Sequence, residues 1–176
     1  PVRVAIGEVS RPAGEVKEET IRTTDAGKNT VLLQQMQERK GLILVFARTK
    51  SRTDRLAKLL LREGHDVVSL HGGRSQAQRK FALEKFRSGS HRIMVATDLA
   101  GRGIDVADIE HVINYDVPST REDYIHRIGR TGRCGKTGSA LNLLLGGDTD
   151  GEYVISGIKS SARRGASSAR GRTWGR

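Results

Sequence analysis

Between His126 and Arg133 the chain reads HRIGRTGR, which places Arg130 and Arg133 around Thr131-Gly132 with a histidine just upstream. Glycines at 129, 132 and 135 interrupt any helix beyond Ile128, so both guanidiniums are expected on a tight loop. A planar guanidinium forks onto paired oxygens, and two of them beside an imidazole suit an anionic oxygen cluster such as a phosphate. An ordinary basic surface loop is the competing reading, and an isolated R-x-x-R would not separate the two.

A second stretch, Val95 to Val106 (VATDLAGRGIDV), follows an apolar run and turns sharply through Gly101 and Gly103. Such a turn exposes backbone N–H groups and short polar side chains. Thr97 is placed to bond a nucleic-acid phosphate, Asp105 to accept from a ribose hydroxyl, and Arg102 to tie the two together. Taken alone, such a loop is more often a structural turn. Two look-alikes of a nucleotide site stand nearby. Gly135-Lys136-Thr137 resembles the end of a P-loop, but that motif needs glycine at position 130, which is arginine, and this run precedes a strand. Ile93 to Asp98 (IMVATD) resembles a Walker B strand, with no P-loop to hold a magnesium-bound triphosphate against it.

These loops need elements to position them. Asp25 to Lys40 has a helical apolar pattern ending at Gly41, after a loosely alternating Glu15 to Thr24 that suits an edge strand. Leu42-Ile43-Leu44-Val45-Phe46 is a continuous apolar run, as in a strand buried on both faces. Then come a helix over 51–64, a strand over 66–70, a Ser75-capped helix over 75–88 and a strand over 91–96. A strand over 109–115, a helix over 120–128, a strand over 137–145 and a weak helix over 151–160 complete the series. Strands alternating with helices of this length predict an α/β fold, a parallel β-sheet with helices on both faces. In such sheets ligands gather beyond the carboxyl ends of the strands, and every candidate residue is expected there. Residues 1–13 show no clear period and are read as a linker.

Lys and Arg number 31 against 20 Asp and Glu, a net charge of +11 that points to polyanions, most often nucleic acid. No apolar run approaches the length of a membrane span. The lone Cys134 excludes an internal disulfide and fits a reducing compartment, while the histidines at 65, 71, 91, 111 and 126 lack metal-ligand spacing, so no metal is assigned. With no signal-like segment the chain is expected inside the cell, cytoplasm and nucleus not being distinguished. It opens on Pro1 and is expected to be a piece of a longer protein. Residues 161–176 carry five arginines and no acid among Gly and Ser, so a disordered RNA-compatible tail is expected, with Trp174 as a stacking face.

HRIGRTGR resembles motif VI of the DEAD-box RNA helicases, and VATDLAGRGIDV resembles their motif V. Val45 to Lys50 (VFARTK) is similar to motif IV. His71-Gly72-Gly73, Gln76 to Arg79, Leu83, Phe86 and Gly89 follow the HGxxxQxxRxxxLxxFxxG segment, and Asn114 to Pro118 with Asp123-Tyr124 also fit. The resemblance runs from about residue 41 to 145. Gly73 stands where many members carry Asp, and Gly101 where Ala is commoner.

The resemblance implies that residues 14–160 form the second of two RecA-like domains, a P-loop NTPase fold lacking its own P-loop. Residues 1–13 would join it to an N-terminal RecA-like domain that carries the Q motif, P-loop, DEAD and SAT. By the same resemblance Arg130 and Arg133 are arginine fingers to the γ-phosphate, His126 couples to the first domain, and Asp105 and Gly103 line the nucleotide ribose. Thr49, Gly72, Arg79, Thr97 and Arg102 would contact RNA backbone, independent of base sequence. ATP with Mg²⁺ would be bound jointly with the N-terminal domain, and the protein is expected to be monomeric. The general base and magnesium ligand would lie on that other domain, so this chain alone is expected to be inactive. The alternative is a non-catalytic RNA-binding or adaptor module on the same fold, against which the presence of both Arg130 and Arg133 argues.

Overall fold

The computed structural model describes residues 2–11, 14–133 and 135–158; Cys134 and the basic tail lie outside the described residues. Seven strands form one sheet in the order β1-β2-β7-β6-β3-β5-β4. They are β1 (Val2–Arg11), β2 (Gly14–Thr23), β3 (Leu42–Phe46), β4 (Val67–Leu70), β5 (Ile93–Ala96), β6 (Ile109–Asn114) and β7 (Gly138–Leu145). β2 to β7 run parallel, and β1 is antiparallel to β2. The helices are α1 (Lys28–Glu38), α2 (Lys50–Arg62), α3 (Gln76–Arg87), α4 (Asp98–Gly101), α5 (Arg121–Ile128) and α6 (Thr149–Ser156).

A parallel strand in mid-sheet has both faces covered, which is why all five residues of β3 are buried. Its side chains alternate between two cores. Ile43 and Val45 meet Val31, Leu32 and Met36 of α1 and Leu56 and Leu60 of α2. Leu42, Leu44 and Phe46 face the other way, with Ala82 and Phe86 of α3 and Ala100 beside them. A third cluster on this second face joins Tyr124 and Ile128 of α5 and Val154 of α6 to Val16, Ala140 and Leu144.

Local chemistry starts three of the helices close to where the sequence suggests. Thr49, Ser75 and Thr120 have extended backbones and accept from the N–H of Arg52, Gln78 and Asp123, and Ser75 with Gln78 closes a capping box. α5 also carries Glu122 and Asp123 in its first turn and His126 and Arg127 in its last, in the sense its dipole favours.

Two expectations fail at the amino end. Residues 2–11, expected to be irregular, form β1, paired with β2 from Val2 opposite Arg22 to Arg11 opposite Gly14. β2 is therefore interior and not an edge strand, and β1 occupies the edge. Val2, Val4 and Ile6 stand at alternate positions, the period-two signal that the proline and glycine in the segment obscured.

On the α1 side, His111 Nδ1 of β6 is hydrogen-bonded to the Ser139 hydroxyl at 2.5 Å, and Arg39 Nη1 donates to the same hydroxyl at 2.8 Å. Burial, followed by the Arg39 charge, holds His111 below its usual 6.5, and Glu110, which pulls the other way, does not offset them. The unfolded chain therefore takes up a proton first as pH falls, so the stability associated with this contact is full above the usual histidine range and drains below it. Thermal unfolding at about pH 7 and about pH 5 should show a fall in Tm that flattens in His111→Asn, which keeps an acceptor near Ser139. An unchanged slope in the variant would remove His111 as its source.

Candidate functional site

Arg127, one residue beyond the His126 singled out in the sequence, is only 3% exposed. Its guanidinium forks onto Asp98, Nε to Oδ1 at 2.5 Å and Nη2 to Oδ2 at 2.8 Å. Nη1 donates to Asn114 Oδ1 at 3.0 Å and to the Asp116 carbonyl at 2.5 Å. The cation also lies 4.9 Å from the centre of the Phe46 ring. Asp98, the terminal aspartate of the Walker B look-alike, is thus committed to a structural ion pair. Polar contacts continue beneath α5: Asn114 Nδ2 donates to Asn142 Oδ1, Asn142 Nδ2 to the Tyr124 hydroxyl, and that hydroxyl to Glu18. Burial, with the charge of Glu18, pushes the Tyr124 phenol up, so it stays protonated and donates.

Three candidates assemble at the carboxyl ends of adjacent strands. Thr49 follows β3, Gly72 follows β4 and Thr97 follows β5 between them, where Ala96 stands opposite both Phe46 and Leu70. The Thr97 N–H donates to the Leu70 carbonyl at 3.2 Å, and Thr97 opens α4, a single turn that the sequence pattern does not show. Its side chain makes no capping bond. Arg79 lies in the first turn of α3, half-buried. Lys50, not among the expected residues, stands beside Gly72: a Cβ built there would be 3.7 Å from Lys50 Nζ.

Asp116 holds the loop that carries Thr49. Its Oδ2 accepts from the Arg48 N–H at 2.8 Å, and its Oδ1 accepts from Arg52 Nη1 at 2.6 Å and from Lys28 Nζ at 3.3 Å. Sequence reasoning missed both Arg127 and Asp116 as functional positions. The available signal was an arginine and an aspartate inside otherwise specific motifs, with nothing in one dimension to show that they meet.

Gly103, Asp105, Arg130 and Arg133 do not join the carboxyl-end group, contrary to expectation. α5 runs back against the strand direction, so the loop beyond its last turn lands at the amino ends of β6 and β2. There the Thr131 hydroxyl donates to the Ile109 carbonyl at 2.5 Å. Gly132 has φ +66°, and a Cβ on it would come within 2.7 Å of Val16 Cγ2 and 2.9 Å of the Glu15 carbonyl oxygen, so this turn requires glycine. Arg130 Nη1 donates to the Ile104 carbonyl at 3.0 Å, and Arg133 Nη1 reaches Asp105 Oδ1 at 3.5 Å. The Asp105 side chain is 90% exposed, so that pairing is loose and open to exchange for a ligand. Arg102 does not link Thr97 to Asp105; it donates to Asp123 Oδ1 on α5 at 3.0 Å. The P-loop look-alike is occupied too, with Lys136 on Asp108 at 2.7 Å.

A cleft of about 280 Å³ runs between α4 and α5, with Phe46, Gly101 and Arg127 along it and Arg102, His126 and Arg130 bordering it. It brings together the exposed His126 imidazole and the first of the two loop arginines. Among the described residues no cluster of three or more His, Cys, Asp or Glu is arranged to hold a metal ion, and no helix is long and apolar enough to cross a membrane.

The family model for the helicase conserved C-terminal domain matches residues 27–135. DEAD-box ATP-dependent RNA helicase 35 of Arabidopsis thaliana is 40% identical over 144 residues, covering 82% of this chain but 24% of that protein, so the chain spans about a quarter of that relative's length. The E. coli DEAD-box protein SrmB, solved bound to regulator of ribonuclease activity A, is 33% identical over 77% of this chain and 79% of its own, with a TM-score of 0.68. S. cerevisiae Dbp5 bound to RNA and ADP BeF3 is 32% identical over 78% of this chain and 37% of its own, with a TM-score of 0.71.

Removing Arg127 would strand the Asp98 carboxylate together with Asn114 and the Asp116 carbonyl. Arg127→Ala should cost about 3–5 kcal/mol in chemical denaturation, and Arg127→Lys should recover only part of that because an ammonium cannot fork. A loss below about 1 kcal/mol for alanine would mean that the pair contributes no more than a surface bridge.

Proposed function

Because the chain belongs to the family of helicase conserved C-terminal domains, in its DEAD-box branch, we propose that it is the second RecA-like domain of an ATP-dependent RNA helicase. In this reading residues 14–160 are the domain, the segment before them leads from an N-terminal RecA-like domain, and RNA and ATP bind across the cleft between the two. The observation that carries it is the placing of two polar groups on one body, held together through Arg127. Thr49, Gly72 and Thr97 occupy one end of the sheet, and Arg130 and Arg133 occupy the loop after α5.

At the first end, Thr49, Gly72, Thr97 and Arg79 meet phosphates and sugars, with Lys50 adding a charge. Such contacts ignore base identity and weaken steeply with salt. Arg102 is already half committed to Asp123, so its part in RNA binding requires that pair to open. At the second end, the residues fit a triphosphate approached from outside. Arg130 and Arg133 are exposed enough to reach a γ-phosphate, Gly103 leaves open space at the turn, and Asp105 can trade Arg133 for a ribose hydroxyl. Bound with Mg²⁺ on the N-terminal domain, ATP supplies the phosphoanhydride whose hydrolysis drives the cycle. The two guanidiniums then stabilise charge that develops on the transferred group, and His126 packs against the first domain. Hydrolysis so assisted is coupled to local separation of a short duplex, and the protein acts as a monomer. An adaptor that only binds RNA would not need Arg130 and Arg133.

The chain by itself should show no ATP turnover with or without single-stranded RNA, and only weak, salt-sensitive RNA binding; RNA-stimulated turnover would end this division of labour. In the full-length protein, Arg130→Ala should lower ATPase by about 10³-fold or more while leaving RNA affinity without nucleotide nearly unchanged. Intact ATPase in that variant would favour the adaptor reading.

A further inference from the structure

Far from β1, the sheet ends on β4, which has β5 on one side and, among the described residues, no strand on the other. The Leu70 carbonyl accepts from Thr97 on the β5 side, so the alternation of a parallel strand turns the N–H and C=O of Val67 and Ser69 outward. Edge strands are ordinarily blunted by charge or proline. β4 reads Val67-Val68-Ser69-Leu70 and carries neither.

Clefts flank this edge on both faces, the one toward α3 mostly apolar and the one toward α2 mixed, with Asp54, Lys58 and Arg74 on it. One of about 500 Å³ lies toward α3 with Ala77 and Phe81 on it, and one of about 290 Å³ lies toward α2 with Ala57 and Leu61. Phe81 is 54% exposed and Leu61 62%, and Arg74 borders both clefts. The surrounding charge is predominantly positive. α2 and α3 together hold nine Lys and Arg against Asp54 and Glu84, and Asp54 is already paired with Arg74 at 2.8 Å. Lys58 lies at the α2 cleft, and Lys85 sits 5.5 Å from the centre of the Phe81 ring.

We propose that the β4 edge is a docking site for an extended acidic segment of a partner protein, which adds to the sheet as an eighth strand. Successive side chains of an added strand point to opposite faces, so a short apolar run would reach both clefts at once while flanking carboxylates meet Lys58 and Lys85. Nucleic acid fits less well, because the cleft toward α3 is mostly apolar and the outward main-chain groups match a peptide backbone. The inference rests on neither the arginine loop nor the nucleotide reading.

The probe is a capped, fluorescent eight-residue peptide with four apolar residues between pairs of acidic ones, titrated into the chain by anisotropy, with amide exchange followed by NMR. Saturable, salt-sensitive binding is expected, with protection of the Val67 and Ser69 amides. Replacing its acidic residues by lysine, or using the double variant Leu61→Ser with Phe81→Ser, should weaken binding about tenfold or more. Both substituted side chains are mostly exposed, unfolding curves check the variant's fold, and amide protection in the unaltered chain is independent of it. Absent binding, equal affinity of the variant, or unprotected amides would overturn the proposal. Displacement of the peptide by single-stranded RNA that protects the same amides would also overturn it, in favour of a nucleic-acid surface.

Discussion

A guanidinium withdrawn from water has to satisfy five N–H donors and a delocalised charge within the protein. Arg127 meets that demand with four hydrogen bonds and an aromatic face, drawn from four residues in three places: Asp98 beyond β5, Asn114 and Asp116 at the end of β6, and the Phe46 ring at the end of β3. The same residue sits in the last turn of α5, one residue after His126 and three before Arg130. Because each partner would be left costly and exposed if the arginine moved, these segments share one position. The loops beyond the strands and the loop beyond the helix are thereby parts of a single rigid unit, although they lie at opposite ends of the sheet.

The unit extends sideways through neutral groups to a carboxylate. From Asn114 the hydrogen bonds pass to Asn142, Tyr124 and Glu18, crossing β6, β7 and β2 under α5. On the other side Asp116 gathers Lys28, Arg52 and the Arg48 N–H, fixing the start of α2 and with it Thr49. Hydrophobic burial makes the sheet and its covering helices stable, but it is indifferent to small sliding of one helix over another. Directional polar contacts remove that freedom. Here they are concentrated where loops with chemical work must be held in register.

Much of this was legible in one dimension. The continuous run Leu42 to Phe46 could only be an interior strand, and the caps at Thr49, Ser75 and Thr120 each have a side chain that supplies the missing acceptor. What escaped was set by three-dimensional encounter. β1 needed a partner before its alternation meant anything, and α4 is too short to display a period. The arginine loop went to the amino ends of the strands because α5 reverses direction, which local spacing does not reveal. Arg102 lies opposite Asp123 for the same reason. Arg127 looked like one more cation in a basic motif, and only its burial separates it from Arg130 and Arg133.

Gly101 has a neighbour that makes it more than a flexible joint. A Cβ built on it would come within 2.5 Å of Phe46 Cε1, so the aromatic ring fills the volume that an alanine methyl would take. That ring is also the surface under the Arg127 cation. The two positions are therefore coupled: an alanine at 101 requires the ring at 46 to shift, and with it the surface on which the Arg127 guanidinium rests.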